Sequence, residues 1–171
     1  MQRAILMGPP GSGKSSIGKA LGRELGTNFV DTDSLIVEEQ GQSIPEIFAT
    51  VGEPGFRAIE RTIVLNALRS DIGVIALGGG SILDKDVQTE LSKGAVPVVY
   101  LRVGVSNALM RIGTKGDRPL LSNDPKSQWI KLVKDREPIY RELATIEIET
   151  DNKKAHEVAR ELIALLEMNH A

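Results

Sequence analysis

The chain has 171 residues, 41% apolar and 26% charged, with a formal net charge of −2 and no cysteine. That length suits one domain with a buried core, the missing cysteines exclude disulfides and thiolate metal sites, and the charge offers no basic excess for nucleic acid. The opening MQRAILMGPP is too short an apolar run for a signal peptide, and Ala95–Leu101, broken by Pro97, is too short to span a bilayer, so a soluble, cytoplasmic protein without membrane or nucleic-acid partner is expected.

Ala4–Met7 is a short apolar run and reads as a buried strand. It leads into GPPGSGKSS, residues 8–16, which fits G-x-x-x-x-G-K-[ST] and opens a helix at Lys14. Motif and context agree. Glycines let backbone amides turn inward around a phosphate, and the helix N-terminus adds the positive end of its dipole. Lys14 then reaches the β- and γ-phosphates of a nucleoside triphosphate, and the Ser15 hydroxyl ligates Mg²⁺. The rival reading is a Gly-rich turn between strand and helix. Within the helix, Ile17, Ala20, Leu21 and Leu25 share one face, and Gly26 is its C-terminal cap.

A second strand, Asn28–Asp31, opens NFVDTDSLIVEEQ, which sets Asp31 and Asp33 one residue apart before another helix. One aspartate suffices to cap a helix, so the second needs another explanation. Side chains two apart in an extended strand point the same way, so both carboxylates are expected above the strand end. Residues 34–69 hold two or three helices, one with Phe56, Ile59, Ile63 and Ala67 on a single face. In GEPGFRAIERT, Phe56, Arg57 and Glu60 fall within one quadrant: either Glu60 holds Arg57 in place, or the two form an exposed i,i+3 pair worth a few tenths of a kcal/mol.

The strand Val74–Leu77 ends in three glycines, Gly78, Gly79 and Gly80. Such a stretch suits close approach by a ligand; the alternative is a flexible loop. After the strand Val98–Leu101 comes a segment, 112–125, rich in Gly, Pro and Asp. Its TKGD (114–117) resembles a guanine-reading motif, but Arg111 and Gly113 interrupt any strand before it and the chain has no D-x-x-G, which argues against a GTP switch. Arg118 in the same segment suits a lid that closes a cation over a transferring phosphate. In WIKLVKDREPIY, Trp129, Leu132 and Val133 form an apolar stripe that also carries Arg136. A guanidinium aimed at a core must find an anion; the alternative is snorkelling at a helix end, with Pro138 ending the helix. A strand at Ile146–Glu149 and a helix face of Val158, Leu162, Leu165 and Leu166 complete the chain. Strand–helix alternation of this kind implies a parallel sheet wrapped by helices, with insertions after the strand C-termini building the site.

Taken together, GSGKSS (11–16), FVDTD (29–33), GEPGFRAIE (52–60), LGGG (77–80), RPLL (118–121) and REPIY (136–140) resemble shikimate kinase over nearly the full chain and in the right order. The resemblance implies a three-layer α/β P-loop kinase fold, with a parallel five-stranded sheet of order 2-3-1-4-5. It also implies one domain over residues 1–171, an acceptor-binding region at about 32–61 and a lid at about 112–124. It implies MgATP and shikimate as ligands, shikimate 3-phosphate and ADP as products, a place in aromatic amino-acid biosynthesis, and a monomer. Asp31 is then a Mg²⁺ residue acting through water, beside Ser15. Asp33 binds the acceptor hydroxyls and serves as proton acceptor. Arg57 and Arg136 clamp the carboxylate, Gly79 and Gly80 meet the substrate through backbone, and Phe48 and Phe56 wall the pocket. Gly11, Ser12, Gly13, Lys14, Ser15 and Ser16 hold the nucleotide phosphates with Arg118, while Arg111 matches a nucleotide-stacking position and Lys153 the adenine loop. Two positions depart from the family pattern: TDNKKAH lacks a proline near Ala155, and Ser16 stands where threonine is commoner. The competing readings are another small P-loop kinase, such as a gluconate kinase, and a P-loop binding module without turnover. The FxDxD, FR, GGG and RxPxY set argues against the first; intact Lys14, Ser15, Asp31, Asp33 and Arg118 argue against the second.

Overall fold

Burial alternates along the strands and so decides the layers. In β1 (Ala4–Met7), Ile5 and Met7 enter one core and Ala4 and Leu6 another. In β4 (Val98–Arg102), Val98 and Tyr100 join the first core and Val99 and Leu101 the second. A strand buried on both faces needs helices on both faces, and these are present. The computed structural model describes residues 3–113 and 124–169. Its strands β1, β2 (Phe29–Asp31), β3 (Val74–Ala76), β4 and β5 (Ile146–Glu149) form one sheet in the order β2-β3-β1-β4-β5. Every pairing is parallel, with Ile5 opposite both Ile75 and Val98.

One face of the sheet is covered by α1 (Lys14–Leu25) and α7 (Ala155–Asn169), through Ile17, Leu21, Val158, Leu162 and Leu166. The other is covered by α3 (Ile44–Leu68), α4 (Lys85–Ser92) and α6 (Pro125–Leu143), through Val64, Leu68, Val87, Leu91 and Tyr140. The edge strand β5 reads IEIE: its isoleucines are buried, and its glutamates face outward and protect the edge. A smaller cluster of Ile36, Ile47, Phe56 and Ile63 joins α2 (Thr32–Gln40) to α3 beyond the C-terminal end of the sheet. The α3 segment bends at Gly52, which has φ 71° and ψ 179°. Here the insertion after β2 resolves into α2 and a bent α3. A further helix, α5 (Val105–Ile112), packs on α6 through Ala108 and Trp129.

Two local expectations are corrected. Pro138 does not end α6, which continues to Leu143. Proline removes the amide that would bond the Lys134 carbonyl, but Lys134 and Pro138 both lie on the exposed side, where that carbonyl can accept from solvent. Nor do Asp31 and Asp33 lie two apart in one strand: Thr32 already opens α2, and Asp33 sits in its first turn.

Candidate active site

The phosphate loop leaves β1 at Met7 and enters α1 at Lys14. Gly11 and Gly13 hold φ of 81° and 87°, a region L side chains rarely adopt. A β-carbon on Gly11 would also stand 2.6 Å from the Ala108 carbonyl oxygen, so α5 leaves the loop no room there. Lys14 turns back along the loop, its ammonium donating to the carbonyls of Gly8 at 2.7 Å and Pro9 at 3.1 Å. Ser12 is fully buried under the loop, whereas Ser16 is exposed at the mouth. A cleft of about 290 Å³ opens above, and Gly11, Gly13, Lys14, Ser15, Ser16, Asp31, Asp33, Gly79 and Arg111 all border it.

Asp31 carries two tasks on one carboxylate. Its Oδ1 caps α2, accepting the amides of Asp33 at 2.9 Å and Ser34 at 3.4 Å. Its Oδ2 accepts the Ser15 hydroxyl. A hydroxyl and a carboxylate side by side at the rim of a phosphate loop form a hard-oxygen donor pair, the type that suits Mg²⁺ completed by phosphate oxygens and water. Among the described residues no cluster of three His, Asp or Glu side chains could hold a metal by itself. With Asp31 holding the cap, the Asp33 carboxylate borders the same cleft.

The glycines after β3 carry a second set of groups. A β-carbon on Gly78 would lie 2.4 Å from Asp33 Oδ1, one on Gly79 3.2 Å from Arg136 Nη1, and one on Gly80 2.3 Å from Arg57 Nη1. Three charged side chains from α2, α3 and α6 thus converge on three successive bare positions. The close approach expected of a ligand is here made first by the protein's own groups. The stretch is tied down rather than loose: the Gly78 amide donates to Thr32 Oγ1 at 2.9 Å, Ser81 Oγ donates to the Gly78 carbonyl at 2.7 Å, and Tyr140 Oη to the Gly79 carbonyl at 3.1 Å.

Arg57 and Glu60 meet at 2.8 Å, and Glu60 is only 3% exposed, so this is not the solvent-exposed pair that spacing alone allows. Burial pushes the Glu60 carboxyl above the usual carboxylate range; Arg57 pulls it back down, and nearby Asp33 pushes it further up. Arg57 lies over the Phe56 ring at 5.3 Å, and Phe56 packs on Phe48 with centroids 4.7 Å apart. Arg136 is 7% exposed, which removes the snorkelling alternative.

On the nucleotide side, Arg111 donates to the carbonyls of Gly11 at 3.0 Å and Thr150 at 2.9 Å, so it spans the phosphate loop and the segment after β5. Lys153 places its ammonium 2.9 Å from Glu161 Oε2 on α7. Arg118, the TKGD segment and residues 114–123 of the expected lid lie outside the described residues; the element before TKGD is the helix α5, not a strand.

The family model described as shikimate kinase matches residues 10–167. The chain belongs to the shikimate kinase family. A shikimate kinase from Rhodococcus jostii is 45% identical over 165 residues, covering 96% of this chain and 97% of the relative. One from Streptomyces coelicolor is 41% identical and covers 98% and 96%. The structure also matches shikimate kinase from Acinetobacter baumannii in complex with shikimate, with a TM-score of 0.93, 34% identity and coverage of 99% and 95%. Family membership makes the chain an ATP-using kinase. It also settles the choice left open between this family and a gluconate kinase.

Sequence reasoning assigned no hydrogen-bonding role to Thr32, Trp129, Tyr140 or Thr150, although Tyr140 belongs to the REPIY stretch that carries the resemblance. Each is a polar group in a buried place: Thr32, Tyr140 and Thr150 are 0% exposed and Trp129 is 4% exposed. The signal open to the sequence was a polar residue on an otherwise apolar face, as Tyr140 is on the stripe of Trp129 and Arg136.

Proposed function

We propose that this chain transfers the γ-phosphoryl group of MgATP to the 3-hydroxyl of shikimate. The observation that carries this is the convergence of Asp33, Arg57 and Arg136 on Gly78–Gly80, next to the cleft that the phosphate loop borders. A carboxylate acceptor suits two guanidinium groups, whose planar forks match its oxygens. Asp33 then lies where the acceptor hydroxyl must be. It accepts the hydroxyl proton as the oxygen attacks the γ-phosphorus and the bond to the β-phosphate oxygen breaks. Lys14 releases its loop carbonyls and neutralises the β- and γ-phosphates. Ser15 and Asp31 would hold Mg²⁺, which would offset phosphate charge when bound. Phe48 and Phe56 form the apolar wall of the acceptor site, and the backbone of Gly79 and Gly80 lines it. Gly11, Ser12, Gly13 and Ser16 shape the phosphate cradle, with Arg111 and Lys153 on the base side, and Arg118 offsets phosphate charge during transfer. The chain works as a cytoplasmic monomer.

A coupled ADP-release assay tests the assignment with shikimate, gluconate, nucleoside monophosphates or no acceptor. ADP release is expected to depend on shikimate. Equal release with every acceptor, or release without one, would overturn the proposal.

A further inference from the structure

Helix α6 touches both halves of the site. Near its start Trp129 Nε1 donates to the Pro10 carbonyl in the phosphate loop at 2.9 Å. Near its end Tyr140 Oη donates to the Gly79 carbonyl at 3.1 Å. Residues eleven apart on a helix fall within about 20° of each other and about 16 Å along the axis, so one face carries both contacts. Arg136 lies on that face too, within hydrogen-bonding reach of the Tyr140 phenol. Trp129, Arg136 and Tyr140 are all buried, although each carries a polar group. Nothing in packing alone requires an indole N–H and a phenol O–H to bond those two loop carbonyls.

We infer that α6 is a two-ended positioning element, with Trp129 fixing the phosphate loop at Pro10 and Tyr140 fixing Arg136 and Gly79 on the acceptor side. The inference rests on the acceptor reading above for the naming of its two ends. Neither residue is catalytic. Each acts through the group it holds: Trp129 through the backbone that cradles phosphate, and Tyr140 through the guanidinium that meets the carboxylate. The phenol is suited to this. Burial pushes its pKa up to about 12, so it remains a donor throughout the working range of a kinase. Its ring stacks on Tyr100 with centroids 5.0 Å apart, which fixes where the hydroxyl points.

The test is a split of kinetic constants. Tyr140→Phe keeps the stacked ring and removes the donor. It is expected to raise KM for shikimate about tenfold, the scale of one hydrogen bond to a charged site, with KM for ATP within about twofold of wild type. Trp129→Phe is expected to do the reverse. Tyr100→Phe, which alters the other ring of the stack, is expected to leave both constants unchanged. A purely structural role predicts a lower Tm with unaltered constants per folded enzyme, or both KM values moving together in both variants; either result overturns the inference. Wild-type protein supplies a second measurement should a variant fail to fold. The chain has a single tryptophan, so its indole N–H gives one NMR signal with no assignment needed. That signal is expected to shift on adding MgADP and to stay in place on adding shikimate alone. An indole signal indifferent to nucleotide, or equally sensitive to both ligands, overturns the inference. If wild-type enzyme releases ADP equally without shikimate, the acceptor reading fails instead, and the indole response still reports on the Trp129 end.

Discussion

Asp31 and Asp33 stand two residues apart on either side of a strand–helix boundary, and their chemistry should differ accordingly. Asp31 ends a strand, caps α2 with one oxygen and meets Ser15 with the other. The Asp33 carboxylate borders both the cleft and Gly78. Changing each to asparagine separates capping from charge, because an amide oxygen still accepts a helix amide. Asp33→Asn is expected to lower kcat by about 10²–10⁴, the range for a lost general base, with ATP affinity nearly unchanged. Asp31→Asn is expected to raise the Mg²⁺ needed for half-maximal rate while keeping shikimate affinity. Magnesium and shikimate titrations on both variants make the comparison, and identical defect profiles would contradict the division. Lys14 is judged by the same standard. Its ammonium rests on loop carbonyls until phosphate arrives, so Lys14→Met should fold normally and lose at least about 100-fold in kcat, as removal of one preorganised donor does. Near-wild-type turnover in folded Lys14→Met would exclude the nucleotide role.

At the scale of elements, the glycine run after β3 depends on the helices around it. Gly80 leaves room for Arg57, since a β-carbon there would stand 2.3 Å from Nη1 and 2.7 Å from Cζ. The guanidinium is the movable partner, so Gly80→Ala should displace Arg57 rather than unfold the loop. The expected outcome is a KM for shikimate raised by roughly tenfold or more, from a weakened charged contact of about 1.5–3 kcal/mol, with KM for ATP unchanged. Steady-state kinetics with each substrate varied in turn checks it; a rise confined to KM for ATP would be incompatible with this geometry. Elements such as β1 and β4 were legible in the sequence because burial on both faces leaves an uninterrupted apolar run, and α1 because Gly26 marks its end. Which aspartate caps α2 was not, because Asp31 and Asp33 read alike until backbone hydrogen bonds assign one to the cap. Pro138 misled for a related reason. Proline in a helix frees the carbonyl four residues earlier, and sequence does not reveal that this one, at Lys134, faces solvent. The glycines were legible as a place of close approach, but that Asp33, Arg57 and Arg136 themselves make that approach needed three dimensions.

Over the whole molecule, the sheet and the α6 layer meet at Tyr100 and Tyr140, stacked with an interplanar angle of 20°. Burial is the main cause that pushes both phenols from 10.0 to about 12; Glu137 pushes Tyr100 the same way, while Arg136 pulls Tyr140 back. Below pH 10 folded and unfolded chains both keep these protons, and the phenols contribute no pH dependence. Between pH 10 and 12 the unfolded chain loses protons that the folded chain retains, so stability must fall as pH rises through that window. For fully buried Tyr140 the loss amounts to about 2 kcal/mol by pH 12, since each tenfold difference in proton affinity between the two states is worth about 1.4 kcal/mol. Lysines also titrate there, so wild type alone cannot isolate the effect. The double variant Tyr100→Phe with Tyr140→Phe keeps both rings and every lysine, so the difference in slope belongs to the phenols. Urea unfolding at intervals from about pH 9 to 12 is expected to show a shallower decline for the double variant, even though its stability at neutral pH is lower by the lost Gly79 bond, about 1 kcal/mol. Parallel declines for the two proteins would mean that the phenols ionise in place, and that the joint between sheet and helix layer is open to water.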